Sequence, residues 1–131
     1  MPRARVTGLN SVISGFTHAS FVPSVAASIR SGNSFLIFPE GTRSRTEELL
    51  PFKKGGFIMA IKAQAPVVPI AVQGGRAAMT KGSWVIRPVT VTIRVGRPIE
   101  TAGQGLDERD DLILRVRREI ESLLAAGPAL H

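Results

Sequence analysis

The stretch that most constrains this chain is Ser34-Phe35-Leu36-Ile37-Phe38-Pro39-Glu40-Gly41. Its first five residues include two Phe and a β-branched Ile and are too few for a helix, so they read as a buried strand. Pro39 lacks the backbone donor that a sheet ladder needs, and Gly41 relaxes the backbone two residues later. A strand must therefore end here in a turn. That turn continues as Thr42-Arg43-Ser44-Arg45, which places a carboxylate beside two guanidinium groups. A mere change of direction uses Gly, Asn, Asp or Ser and has no need of such charges. Open α/β sheets bind ligands just beyond the carboxyl ends of their strands, where this cluster falls.

Arg43 and Arg45 each carry a planar fork of donors suited to carboxylate or phosphate oxygens. Lys53-Lys54-Gly55-Gly56 follows and opens an apolar segment, Phe57 to Ala65. A helix beginning there would aim free N–H groups and the positive end of its dipole at an anion. The glycine pair admits two readings, close packing against the sheet or close approach of backbone donors to a phosphate, and the adjacent lysines favour the second. These residue types support an anion pocket, with a solvated basic loop as the alternative.

Seventeen basic against 10 acidic residues give a net charge of +7. Such a surplus suits anionic lipid headgroups, phosphorylated substrates, CoA or acyl-carrier thioesters, or nucleic acid. Nucleic acid is disfavoured, because six Phe, one Trp and no Tyr are not interleaved with basic residues in any binding motif. No cysteine is present, which excludes disulfides, a thiol nucleophile and thiolate metal sites within the chain. No apolar run approaches the roughly 18–20 residues that cross a bilayer. A membrane role is thus expected to be peripheral, and the absence of bridges suits the cytoplasm.

The 131 residues fit one α/β domain with a mostly parallel or mixed sheet flanked by helices. Residues 1–33 form a poorly defined N-terminal segment, 34–100 the substrate-binding core, and 107–124 a C-terminal amphipathic helix. A short helix is expected over 24–31, after Pro23. The order of strand 35–38, helix 57–65 and strand 67–72 predicts a βαβ unit with parallel strands and a right-handed crossover. Pro69 argues for an edge position or a bulge there. Gln73-Gly74-Gly75-Arg76 forms the loop beyond, with Arg76 a weaker candidate for the anion. A strand is expected over 83–86, with Trp84 in the core. Residues 89–96 alternate, predicting that Val89, Val91, Ile93 and Val95 are buried and that Thr90, Thr92 and Arg94 face outward. Leu112, Val116, Ile120, Leu123 and Leu124 repeat at helical spacing after the acidic Asp107, Glu108, Asp110 and Asp111.

FPEGTRSR, then LPFKKGGF, then APVVPIAV resembles the glycerolipid acyltransferase family, typified by 1-acylglycerol-3-phosphate acyltransferase. The resemblance runs from about Ser34 to Val72, with its blocks in the family's order. It implies that Glu40, Gly41, Thr42 and Arg43 bind the acceptor's phosphate and that Val68, Pro69 and Ile70 shape the acceptor or acyl site. Lys53 and Lys54 join the phosphate set on charge alone. The implied reaction moves an acyl group from acyl-CoA or acyl-carrier protein to 1-acylglycerol 3-phosphate (lysophosphatidic acid), giving phosphatidic acid with no resident cofactor or metal. The implied location is cytoplasmic, peripherally associated with the membrane.

One departure is prominent. The family's HxxxxD block, whose His is the general base, is absent: Pro23 stands five residues after His18, and the other histidine is His131. The sequence thus reads as an N-terminally truncated domain holding the phosphate-binding half without a visible base. A non-catalytic phospholipid- or phosphate-binding remnant is the alternative. A partial domain of this kind is also expected to expose apolar surface.

Overall fold

A computed structural model describes residues 21–41, 48–75 and 84–127. Helix α1 spans Phe21–Arg30, α2 Gly55–Ala63 and α3 Arg109–Ala125, with strands β1 at Ile70–Gln73 and β2 at Thr92–Val95. The class is α/β. β1 and β2 pair antiparallel, with Ile70 opposite Val95 and Val72 opposite Ile93. The ribbon extends beyond the strands, since Val67 and Ile99 exchange both backbone bonds at 2.9 and 2.8 Å.

Among the described residues the sheet is this antiparallel pair, and the βαβ unit of parallel strands expected from sequence is not formed. Residues 34–38 join no ladder among the described residues, and the partner of β1 lies downstream, not upstream. Residues 84–86 likewise form no strand, and Trp84 is 100% exposed instead of packed in the core. The α1 helix begins two residues before Pro23 instead of after it. Proline at the third position is tolerated because a first-turn N–H has no intrahelical acceptor to lose.

The core forms where α2 meets α3. Phe57 and Ile61 pack with the fully buried Leu112 and with Val116, and Phe52, Val67, Ile99, Ile113 and Ile120 surround them. α1 lies against α2 and buries Val25 and Ala26. Its last residue is tied there by Arg30, whose Nη1 donates to the Lys62 carbonyl at 3.1 Å. α2 ends on Gln64 in the left-handed conformation, φ 52°. A non-glycine residue holds that geometry because its side chain is fixed three times: Nε2 donates to Ile61 O at 2.6 Å and to Gln104 O at 3.1 Å, and Oε1 accepts from Gly103 N at 2.6 Å. Thr101, fully buried, donates to the Ala65 carbonyl at 2.7 Å. An orphan acceptor beyond the helix end is thereby satisfied.

α3 starts two residues later than the acidic run suggests, because Leu106–Glu108 forms a 3-10 turn ahead of it. Its C-terminal end closes one face of the ribbon. Gln73 Nε2 donates to Leu124 O at 3.0 Å, and Arg94 donates to Gly127 O through Nε and Nη2. The strand face expected to meet solvent is therefore the covered one, and Val91, Ile93 and Val95 are exposed, contrary to the sequence reading. Alternation shows that two faces differ; it does not say which one a helix will cover.

Candidate functional site

The Pro39-Glu40-Gly41 turn is built from backbone outward. Gly41 N–H donates to Phe38 O at 3.0 Å, closing the turn, and Gly41 takes φ 68°, where L side chains are strained. The second block returns alongside it: Lys53 N–H donates to Pro39 O at 2.7 Å. The two blocks separated in sequence are thus hydrogen-bonded neighbours.

Glu40 faces the returning strand of chain and not the solvent. Its Oε2 accepts the Leu50 N–H at 2.8 Å. Arg117 of α3 completes the anchorage, with Nη1 and Nη2 each 2.9 Å from the carbonyls of Leu50 and Leu49. The guanidinium also lies over the Phe52 ring, 5.2 Å from its centroid, and Nε meets Glu121 at 3.0 Å. The sequence reading above assigned Arg117 no such contact. Its only trace in the sequence is a cation on the helix face that also carries apolar residues.

The Lys53 side chain lies across the turn, so that a Cβ on Gly41 would sit 2.6 Å from its Cε and 2.8 Å from its Nζ. Among the described residues Lys53 has no carboxylate partner. Lys54 diverges: its Nζ is 3.8 Å from Asp110 Oδ1, at the exposed start of α3. The Arg109 guanidinium, hydrogen-bonded to that carboxylate at 3.0 Å, holds the Asp110 carboxyl below its ordinary pKa, and the charge of Lys54 adds to the effect. An open, mostly apolar hollow of about 360 Å³ lies beside this pair, lined by Phe52, Lys54, Asp110, Ile113 and Leu114.

Gly56 is explained by packing: a Cβ there would be 2.9 Å from Ile37 Cδ1. The close-packing reading of the glycine pair therefore accounts for Gly56. Pro69 is fully buried, and its carbonyl accepts from Gly96 at 2.8 Å, just before β1 begins. Val68 and Ile70, on either side, are exposed. The structure thus gathers Glu40, Gly41 and Lys53 at one turn, sends Lys54 to α3, and sets Val68, Pro69 and Ile70 on the ribbon. Thr42, Arg43, Arg45, Arg76 and both histidines lie outside the described residues.

Residues 17–73 match the model of the Acyltransferase family. The 1-acyl-sn-glycerol-3-phosphate acyltransferase of Limnanthes douglasii is 42% identical over 80 residues, covering 61% of this chain and 28% of that protein. Its counterpart from Cocos nucifera is 43% identical over 75 residues, 57% of this chain and 24% of that one. The crystal structure of the 1-acyl-sn-glycerophosphate (LPA) acyltransferase PlsC from Thermotoga maritima superposes with a TM-score of 0.65 at 30% identity. It matches 82% of this chain and 46% of its own. This chain therefore spans about a quarter of the curated relatives it matches and under half of the solved one.

Proposed function

We propose that this chain is the phosphate-holding part of a 1-acylglycerol-3-phosphate acyltransferase. The observation that carries the reading is the turn at Phe38–Gly41, where two blocks of the family pattern meet and Lys53 lies over the glycine. In the proposed reaction the free hydroxyl of lysophosphatidic acid attacks the carbonyl of an acyl-CoA or acyl-carrier thioester. The hydroxyl proton passes to a base, the tetrahedral oxyanion is steadied by donors, and the thiolate leaves. Arg43 grips the acceptor phosphate, with Gly41, Thr42 and Lys53 beside it. Glu40 serves the site indirectly: its bond to Leu50 holds the second block against the turn. Val68, Pro69 and Ile70 border the acceptor or acyl path. The base is not among the residues assigned, so acyl transfer by the chain alone is expected to be absent or very low. Contact with the membrane is peripheral and directed to its anionic lipids.

Titration calorimetry with lysophosphatidic acid tests this reading. Replacing Arg43 by Ala should weaken binding by about 1.5–3 kcal/mol, the scale of a hydrogen bond to a charged group. An unchanged affinity removes Arg43 from the role, and with it the phosphate-binding reading of the turn.

A further inference from the structure

Arg117 is occupied by the backbone of another segment. Its Nη1 donates to the Leu50 carbonyl and its Nη2 to the Leu49 carbonyl, each at 2.9 Å, while Nε donates to Glu121 Oε1 at 3.0 Å. A guanidinium fork suits two phosphate oxygens as well as two carbonyls, and here both prongs are taken. The side chain is only 28% exposed and lies over the Phe52 ring. Arg117 therefore does not offer its fork to a ligand. An exposed i,i+4 pair with Glu121 would be worth little by itself. In this setting the carboxylate fixes the plane of a half-buried fork.

The segment so held is the one that delivers Lys53. From the turn, Glu40 Oε2 accepts the Leu50 N–H and Pro39 O accepts the Lys53 N–H. Between those two bonds, the Phe52 ring stacks on Phe57 with centroids 6.1 Å apart. Residues 49–53 are thus gripped by the turn, by α2 and by Arg117 of α3. At the end of the segment the Lys53 stem fills the space left by the missing Cβ of Gly41, and Lys53 is exposed to an incoming ligand. A lysine is a point charge on a flexible stem, so its affinity for an anion depends on how much ordering remains to be done on binding.

We propose that Arg117 is a positioning residue for phosphate binding. It fixes the backbone before Lys53 so that the ammonium is presented over Gly41, and Glu121 orients its fork. The inference deepens the proposed function and rests on the phosphate-binding reading of the Phe38–Gly41 turn.

Titration calorimetry with lysophosphatidic acid on the full 131-residue chain tests it by a double-variant cycle. Lys53→Met and Arg117→Met should each weaken binding, the second by about three- to tenfold, the scale of ordering one long side chain. The two together should bind within about twofold of Lys53→Met alone, since Arg117 then has no ammonium to place. Arg117→Lys keeps the charge without the fork, so it should recover only part of the loss. Two controls should leave affinity unchanged within about twofold. Arg118→Met removes the same charge from an exposed position on α3, and Gln64→Ala loosens the other end of α2 and lowers the melting temperature. If Arg117→Met does not fold, Arg117→Lys and Glu121→Gln take its place in the cycle. Losses at Lys53 and Arg117 that simply multiply overturn the inference, as does a loss in Gln64→Ala equal to that in Arg117→Met, which would make the role structural only. An unchanged affinity in Lys53→Met also overturns it. Weakened binding in Arg43→Ala and Lys53→Met but not in Arg117→Met overturns the inference and leaves the proposed function standing. Arg43→Ala without effect counts against the proposed function, whereas coupled losses at Lys53 and Arg117 still place Arg117 behind the ammonium. A chain that binds no lysophosphatidic acid overturns both.

Discussion

Gly41 has two separate duties. Its φ of 68° is one that a side-chain-bearing residue adopts only at a cost, and its missing Cβ leaves the space that the Lys53 ammonium stem occupies. Substitutions separate the two. Gly41→Ala should lower stability by about 1–2 kcal/mol, the left-handed penalty, and should push Lys53 aside. Gly41→Asn recovers most of the stability, since Asn enters that region more readily, but still displaces Lys53. Urea melts and lysophosphatidic acid titrations on both variants check this. Equal stability for Ala and Gly, or full ligand affinity in the Asn variant, would contradict the assignment. The glycine's turn role was legible from its place after Pro39. The lysine over it was not, because nothing in the sequence says that residue 53 returns to residue 39.

At the scale of elements, the segment from Leu49 to Phe52 is held between a turn and a helix. Glu40 takes the N–H of Leu50, and Arg117 takes the carbonyls of Leu49 and Leu50. Two half-buried carbonyls lose their donors if the guanidinium is removed, so Arg117→Met should cost roughly 2–3 kcal/mol. Arg117→Lys should recover less than half, because an ammonium has no planar fork to span two carbonyls. The exposed neighbour substitution Arg118→Ala should change stability by under about 0.5 kcal/mol. Denaturant midpoints decide; a loss in Arg117→Met no larger than in Arg118→Ala would show that the contact carries no stability. The elements themselves were unevenly legible. α3 was clear, because Leu112, Val116 and Ile120 recur every four residues and the core lies along that stripe. The helix at 55–63 was found to within two residues at each end, since Pro66 and the glycine pair bound it. The strand pairing was not legible. Residues 34–38 and 70–73 are both mainly apolar in sequence, and only the tertiary path shows that 70–73 pairs with 92–95. The phosphate set was legible as a cluster of residue types, whereas the turning of Lys54 toward Asp110 depends on where α3 packs.

For the whole molecule, charge is segregated in a way that bears on the membrane. All ten acidic residues fall within 40–48 and 100–121, and none lies between 49 and 99, where Lys53, Lys54, Lys62, Arg76, Lys81, Arg87, Arg94 and Arg97 stand. Because α3 and its leading turn carry most of the carboxylates and cover one face of the ribbon, negative charge gathers in that layer. The remainder of the chain is strongly cationic. Each Lys or Arg near an anionic bilayer contributes about 1 kcal/mol, and the attraction decays within a Debye length, about 10 Å at 0.1 M salt. The chain should therefore sediment with vesicles of phosphatidylcholine mixed with phosphatidylglycerol, and not with phosphatidylcholine alone. Raising the salt to about 0.5 M should release it, since the Debye length then falls to about 4 Å. Lysines placed at Val72 and Ile93 should leave this binding intact or strengthen it, because they add positive charge and remove none of the cations. Salt-resistant binding to neutral vesicles would show that apolar insertion governs instead, and would move the membrane contact from the lysines and arginines to the exposed apolar face of the ribbon.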